Sequence, residues 1–270
     1  MNPLSLEQLT IPDADPIELT SIAAEVGCTH VSLFLRPGER PPQWCPLVTD
    51  AALRRTLRDH MAACGVTPYT GEFFPLSPRV DVASYRPAFA CAAELGARRI
   101  TALVSDTDEA RRLDRFCELC DVTAEYGLGT NVEFVAITAL PSLADAVRLV
   151  TGAAKRNAGI VVDALHLMRS GGSVTELAAI DPALIGGAHL CDGPRQMARE
   201  RQQNEALRER MIPGTGDFPL HGFVAALPRH IPIGVEVPLA SLADQGVRPR
   251  ERARRAVEAS RRIIAAAREM

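Results

Sequence analysis

One unit recurs along the sequence: a short apolar run, a polar loop and an amphipathic stretch that closes near a glycine. The glycines that close the first four units are Gly27, Gly65, Gly96 and Gly127, spaced by about 30 to 40 residues, the length of one βα unit. Glycine is the residue most often found in the left-handed position after a helix C-terminus. Because strand-like sequence follows each glycine within a few positions, the repeat is typical of a βα module.

This repeat predicts eight strands that alternate with helices. The predicted strands lie at 5–10, 29–34, 68–72, 98–104, 129–134, 159–163, 186–191 and 232–237. Eight such units in 270 residues favour a closed (β/α)8 TIM barrel of the α/β class, with residues 1–270 forming a single domain. No GxGxxG follows the first strand, which argues against a dinucleotide-binding sheet.

Composition excludes several classes of partner. The net charge is −3 and the pI about 6.1, so no basic surface for nucleic acid is expected. No apolar run approaches the roughly 18 residues that span a bilayer, and the first residues do not resemble a secretion signal. We therefore expect a cytoplasmic protein that binds a small molecule, and leave assembly into a homo-oligomer open.

Four of the predicted strands end in a side chain that can bind a metal ion. These side chains are Glu133, Asp163, His189 and Glu236, each closing a run of β-branched or small apolar residues. Buried charge costs several kcal/mol unless an opposite charge compensates it. In a barrel the carboxyl ends of consecutive strands surround one axis, so the four side chains could converge on a divalent cation.

The donor set indicates which ion to expect. Three carboxylates and one imidazole suit Mn²⁺ or Mg²⁺, and Zn²⁺ or Co²⁺ rank below them. Taken alone, a strand-end glutamate is more often a helix cap or a salt-bridge partner, and a strand-end histidine is often a core residue. The joint placement of all four favours the metal site.

Three long loops leave the carboxyl ends of the second, third and seventh predicted strands. In a TIM barrel this end carries the active site. We therefore predict a substrate-binding rim formed by Arg36, Trp44, Glu72 and Arg195. The arginines could bind a carboxylate or a phosphate, although each could equally be a solvated surface residue.

The motifs in the second half of the chain carry a resemblance. Asp163-x-x-His166, His189-x-x-Asp192-x-x-Arg195, a Pro-Gly-x-Gly-Asp217 turn and the closing Gly-Val-Glu236-Val occur in this order. The pattern resembles the xylose isomerase-like sugar isomerase/epimerase superfamily. Its members include tagatose/psicose 3-epimerases, hydroxypyruvate isomerase, inosose dehydratase and 3-dehydroshikimate dehydratase.

The resemblance implies roles for individual residues. Glu133, Asp163, His189 and Glu236 would bind the divalent metal, and both glutamates would also act as acid and base on opposite faces of the substrate. His166 and Arg195 match positions that contact substrate oxygens. The implied activity is isomerisation or epimerisation through an enediolate.

Other residues of the motifs have structural interpretations. His166 could be a core residue rather than a catalytic one. For Asp192 we predict that it orients a neighbour or caps a helix, and for Asp217 that it is a helix N-cap.

One departure from the family pattern bears on the substrate. Ketose epimerases carry a further glutamate about two turns after the first metal glutamate, whereas this chain has Ala-Ile-Thr-Ala-Leu at 136–140. This difference favours another oxygenated substrate, such as a keto acid or a cyclic polyol. A metal-dependent lyase or dehydratase with His166 as the acid is the alternative enzyme, and a catalytically silent metabolite sensor is the alternative from another class.

Overall fold

The computed structural model describes residues 2–35 and 46–269. Its eight strands are all parallel and pair in sequence order, and the first also pairs with the last, so the sheet closes. The predicted (β/α)8 TIM barrel is therefore confirmed. The strands are β1 (Leu4–Leu6), β2 (His30–Phe34), β3 (Thr67–Leu76), β4 (Arg99–Val104), β5 (Gly129–Glu133), β6 (Ala158–Asp163), β7 (Ile185–Leu190) and β8 (Ile233–Val235).

Helices follow the strands and surround the barrel. Several begin at a side chain that accepts a backbone N–H hydrogen bond, as Asp15, Asp50, Asp108 and Ser142 do. None of the helices in the described ranges is both long and apolar enough to cross a membrane. The helices are α1 (Pro16–Glu25), α2 (Ala51–Cys64), α3 (Arg86–Leu95), α4 (Glu109–Ala124), α5 (Leu143–Ala153), α6 (Ala164–Arg169), α7 (Val174–Ala179), α8 (Arg199–Arg208), α9 (Leu220–Ala226), α10 (Ala240–Asp244) and α11 (Pro249–Glu269).

The glycines of the sequence repeat have the predicted backbone conformation. Gly27, Gly65, Gly96 and Gly127 have φ values of 74°, 66°, 88° and 71°, all in the left-handed region. Each lies at or just after the end of a helix. The repeat from which the barrel was predicted is thus a set of helix C-terminal turns.

Besides β8, which is shorter than predicted at both ends, β1 and β3 differ most in length from the sequence prediction. β1 ends at Leu6, because the chain turns into a short 3₁₀ helix at Gln8–Thr10. There the Phe34 N–H donates its hydrogen bond to the side chain of Gln8 and not to the backbone of a further β1 residue. β3 is longer than predicted and runs to Leu76, because its second half pairs with β4. Both differences change the position of a carboxylate in the site.

Arg99 fills the barrel interior at the amino ends of the strands. Its guanidinium donates hydrogen bonds to Asn131 Oδ1 and to the Asn157 carbonyl. The neighbouring strands carry glycines where it passes: a Cβ atom on Gly159 or Gly186 would lie 2.6 or 2.8 Å from Arg99 side-chain atoms. These glycines, each the second residue of its strand, therefore leave space for the half-buried Arg99 side chain.

Candidate metal centre

Four consecutive strands bring the predicted metal-binding side chains together. Glu133 and Asp163 are the last residues of β5 and β6, His189 is the penultimate residue of β7, and Glu236 follows β8. Asp163 pairs directly with His189 in the sheet register. All four residues are at most 4% exposed. The convergence expected from the strand positions is observed.

The imidazole of His189 lies at the centre of the three carboxylates. Its Nδ1 atom is 3.3 Å from Glu133 Oε1, 3.4 Å from Glu236 Oε2 and 3.8 Å from Asp163 Oδ2. One donor atom from each of the four residues lies within 4.8 Å of the others. Ligand atoms around a single dication have separations of this size, about 3 to 4.4 Å for bonds near 2.1 Å.

Three atoms of this cluster have no hydrogen-bond partner among the described residues. They are Glu133 Oε1, His189 Nδ1 and Glu236 Oε1. A buried polar atom without a partner costs about 1–3 kcal/mol, and a charged one costs more. Glu133 Oε1 and His189 Nδ1 lie only 3.3 Å apart, so the residues present fit a bound metal ion.

The electrostatics of the cluster favour a positive charge at its centre. Burial alone lowers the pKa of His189, but Glu236, Asp163 and Glu133 outweigh burial and hold that pKa well above its usual value. Burial raises the pKa of Asp163, yet the Arg210 guanidinium and two histidines bring it well below the usual value. Without a metal ion, a proton on the His189 imidazole would supply the positive charge that the three carboxylates favour.

Arg210 completes the cluster and was not identified from the sequence. Its Nη1 donates a 2.7 Å hydrogen bond to Asp163 Oδ2, and its Nη2 lies 2.8 Å from Glu236 Oε2. The side chain is 2% exposed. Arg210 therefore contacts two of the four candidate ligands and limits the directions from which each can bind an ion.

Two further carboxylates lie on the other side of the imidazole. His189 Nε2 is 3.8 Å from Glu7 Oε2 and 3.9 Å from Glu72 Oε1. The predicted rim position of Glu72 is wrong, because β3 continues beyond it and the residue is fully buried within the strand. Glu7 was not identified, because the predicted first strand ran past it.

The Pro-Gly-x-Gly-Asp turn is organised by Asp192. This buried carboxylate accepts backbone hydrogen bonds from Gly193 and Phe218 at Oδ1 and from Gly214 and Gly216 at Oδ2. The group that Asp192 orients is thus the backbone of this turn.

The rest of the same motif is more exposed. The prediction that Asp217 caps a helix is wrong, because α9 begins at Leu220 and Asp217 instead accepts a hydrogen bond from the Arg195 backbone N–H. The Arg195 side chain is exposed near this turn.

The remaining predicted site residues have different positions. His166 is buried in the first turn of α6, next to a small cavity that Val135 and Arg169 also line, and it is not one of the clustered donors. Arg36 and Trp44 lie outside the described residues.

The fold and the cluster define a TIM barrel with a buried carboxylate–imidazole centre that could bind a metal ion. The chain belongs to the xylose isomerase-like TIM barrel family, whose model matches residues 21–269. No curated protein sequence matches the chain.

Solved structures share the fold at low sequence identity. The IolI protein with a bound zinc atom has a TM-score of 0.83 at 16% identity, covering 99% of this chain and 100% of that chain. A xylose isomerase domain protein from Alicyclobacillus acidocaldarius has a TM-score of 0.79 at 20% identity, with coverages of 99% and 100%. D-psicose 3-epimerase from Clostridium cellulolyticum H10 has a TM-score of 0.72 at 14% identity, with coverages of 97% and 99%.

Proposed function

We propose that the chain is a divalent-metal-dependent isomerase or epimerase of a small sugar or hydroxy-carbonyl compound. The observation that carries this proposal is the buried quartet of Glu133, Asp163, His189 and Glu236, in which three donor atoms lack a partner among the residues that the structure describes. The quartet lies at the carboxyl ends of the strands, where TIM barrels bind substrates. The family of the chain and the epimerase among similar structures agree with this chemistry.

The quartet would hold the ion. Its mostly oxygen donor set favours Mn²⁺ or Mg²⁺, and the zinc atom of the IolI structure makes Zn²⁺ a further candidate. When bound, such an ion supplies Lewis acidity, which lowers the pKa of a substrate C–H next to a carbonyl group.

The two glutamates would move the proton. Each presents one buried carboxylate oxygen that has no hydrogen-bond partner in the described part of the chain, Oε1 in both cases. Glu133 would remove the proton from one face of the substrate, and Glu236 would return a proton to the other face or to the adjacent carbon. Arg210 holds the second oxygen of Glu236, so that its free oxygen keeps one orientation.

The substrate would differ from a plain ketohexose. No acidic side chain occurs at 136–140, after the first metal glutamate, so one sugar-binding group of the ketose epimerases is missing. A keto acid or an oxidised cyclic polyol would need fewer hydroxyl contacts. Arg195 is exposed near the turn fixed by Asp192 and would contact the substrate. Arg36 and Trp44, which lie outside the described residues, would be further substrate contacts. His166 would contribute to substrate binding from α6.

Solvent isotope exchange tests the proposed reaction. The full chain is incubated in D₂O with Mn²⁺ and a panel of ketoses, keto acids and inososes, and products are followed by NMR and mass spectrometry. We expect deuterium at one substrate carbon, no loss of water, and loss of exchange on chelation. Glu133→Gln and Glu236→Gln should each lower the rate by about 10²–10⁴.

A matched control keeps this experiment specific. Glu269→Gln makes the same chemical change at an exposed position at the end of α11, and it should leave the rate unchanged. Loss of water from the substrate would show a lyase instead. Exchange that is equal in wild type and Glu133→Gln would contradict the proposed acid/base role.

A further inference from the structure

We propose that the barrel contains a second divalent-cation site, formed by Glu7, Glu72 and Nε2 of His189. It lies on the opposite side of the imidazole from the first site. To offer one nitrogen to each ion, the ring would release both of its N–H protons to solvent and bridge the two ions as an imidazolate. This site goes beyond the proposed function, which uses only the Nδ1 side of the ring.

The distances within this group are too long for hydrogen bonds and are those between ligands of one metal ion. His189 Nε2 lies 3.8 Å from Glu7 Oε2 and 3.9 Å from Glu72 Oε1. Both separations exceed the upper limit of about 3.5 Å for a hydrogen bond. One donor atom from each of the three residues lies within 4.8 Å of the others, which matches the spacing of about 3 to 4.4 Å around a dication with bonds near 2.1–2.2 Å.

The carboxylates that form this group lack partners. Both oxygens of Glu72 and Oε2 of Glu7 have no hydrogen-bond partner among the described residues. Glu72 is 0% exposed and Glu7 is 3% exposed. Two buried carboxylates that face each other without compensation are strongly unfavourable, and a cation between them removes this cost.

The neighbouring strand leaves room for the group. Gly234 in β8 pairs with His189 in the sheet register. A Cβ atom at Gly234 would lie 2.4 Å from Glu7 Oε1 and 2.8 Å from His189 Cδ2. The absence of a side chain here allows the Glu7 carboxylate to approach the imidazole.

The charge balance also favours a second ion. Five buried carboxylates surround His189, and the guanidinium that contacts them in the described part of the chain belongs to Arg210. One dication and this arginine supply three positive charges against five carboxylates and the imidazolate. A second dication supplies two more, which brings the cluster close to neutrality.

Metal stoichiometry tests the site. The full chain is freed of metal with a chelator, saturated with Mn²⁺, desalted and analysed for bound manganese. We expect two ions per chain in the wild type and one in Glu72→Gln and in Glu7→Gln, while Glu269→Gln keeps two. A single ion in the wild type at saturation, or two ions in Glu72→Gln, would overturn the proposal.

Two measurements keep this test independent of folding and of the proposed reaction. Anomalous diffraction from Mn²⁺-soaked wild-type crystals should show a peak between Glu7, Glu72 and His189, and the lack of a peak there contradicts the second site even if a variant fails to fold. Stoichiometry does not depend on turnover. A chain that binds two ions without activity would support this site and contradict the proposed function. An active chain that binds one ion would contradict this site and support the proposed function.

Discussion

Arg210 Nη1 donates a 2.7 Å hydrogen bond to Asp163 Oδ2, the same oxygen that lies 3.8 Å from the central imidazole of His189. One carboxylate oxygen is thus positioned by a buried arginine while it faces the candidate metal position. The ligands are therefore held in place before an ion binds, which is how neighbouring groups usually tune a metal site.

Removal of Arg210 should destabilise the metal-free protein more than the metal-bound one. Arg210→Gln leaves Asp163 and Glu236 without their buried cation, and breaking such a pair costs about 3–5 kcal/mol. Added Mn²⁺ should restore part of this loss, because it compensates the same carboxylates. Urea unfolding with and without Mn²⁺ measures both effects.

Arg208→Gln provides the control for this prediction. Arg208 is an exposed arginine of α8 two residues away, and its replacement should change the free energy of unfolding by less than about 0.5 kcal/mol. If Arg210→Gln were as stable as Arg208→Gln, the ion pairs of Arg210 would have no net effect.

Metal affinity should rise with pH. Burial opposes protonation of His189, but the surrounding carboxylates hold its pKa well above the usual value in the metal-free cluster. An ion that binds Nδ1 must displace this proton, so affinity should increase about tenfold per pH unit until the pH passes that raised pKa. Titration of the chelator-treated chain with Mn²⁺ at several pH values checks the slope, and a pH-independent affinity would contradict the role of His189.

The metal-free protein should show the opposite trend in stability. Because the folded-state pKa of His189 is raised, its contribution to the free energy of unfolding is fully present below the unfolded pKa of about 6.5 and is lost as the pH rises through the folded value. Thermal unfolding in the presence of a chelator should therefore occur at lower temperature as the solution becomes alkaline. Saturating Mn²⁺ should remove most of this dependence.

The space around two glycines predicts opposite effects of their replacement by alanine. A Cβ atom at Gly186 would lie 2.0 Å from Asn131 Oδ1 and 2.8 Å from Arg99 Nε, so Gly186→Ala should cost about 1–3 kcal/mol. Gly152 lies within α5, where the nearest side-chain atom would be 3.6 Å away. Gly152→Ala should therefore stabilise the protein by up to about 1 kcal/mol. Denaturant unfolding of both variants measures the difference in sign.

The turn after β7 should depend on both oxygens of Asp192. In Asp192→Asn one oxygen becomes an NH₂ group, so two of the four backbone N–H donors lose their acceptor, at about 1–3 kcal/mol. Amide hydrogen exchange should become faster at one of the two pairs, either Gly193 and Phe218 or Gly214 and Gly216. Asp217→Asn, which affects only the contact with the Arg195 backbone, should leave these amides unchanged.

The fold and the convergence of the four candidate ligands could be predicted because both follow from local patterns. Gly65 and Gly96 mark helix ends through their left-handed conformation. Glu133 and Asp163 each close an apolar run, and in a barrel the ends of adjacent strands meet. Short-range pattern and closed topology together were enough to place these side chains.

The other charged residues of the cluster could not be placed in this way. Glu7 follows the same rule as the predicted ligands, but β1 ends four residues earlier than its apolar pattern indicates. Glu72 lies inside a strand whose length depends on pairing with β4. Arg210 comes from an irregular loop and is one of five arginines between 195 and 210, with no periodicity to distinguish it.

Anomalous diffraction from crystals soaked in Mn²⁺ tests the central claim most directly, namely that the quartet is a metal site. We expect a manganese peak in contact with Glu133, Asp163, Glu236 and Nδ1 of His189, at bond lengths of about 2.1–2.3 Å. An empty centre at saturating Mn²⁺, with the imidazole still ion-paired to the three carboxylates, would contradict the account.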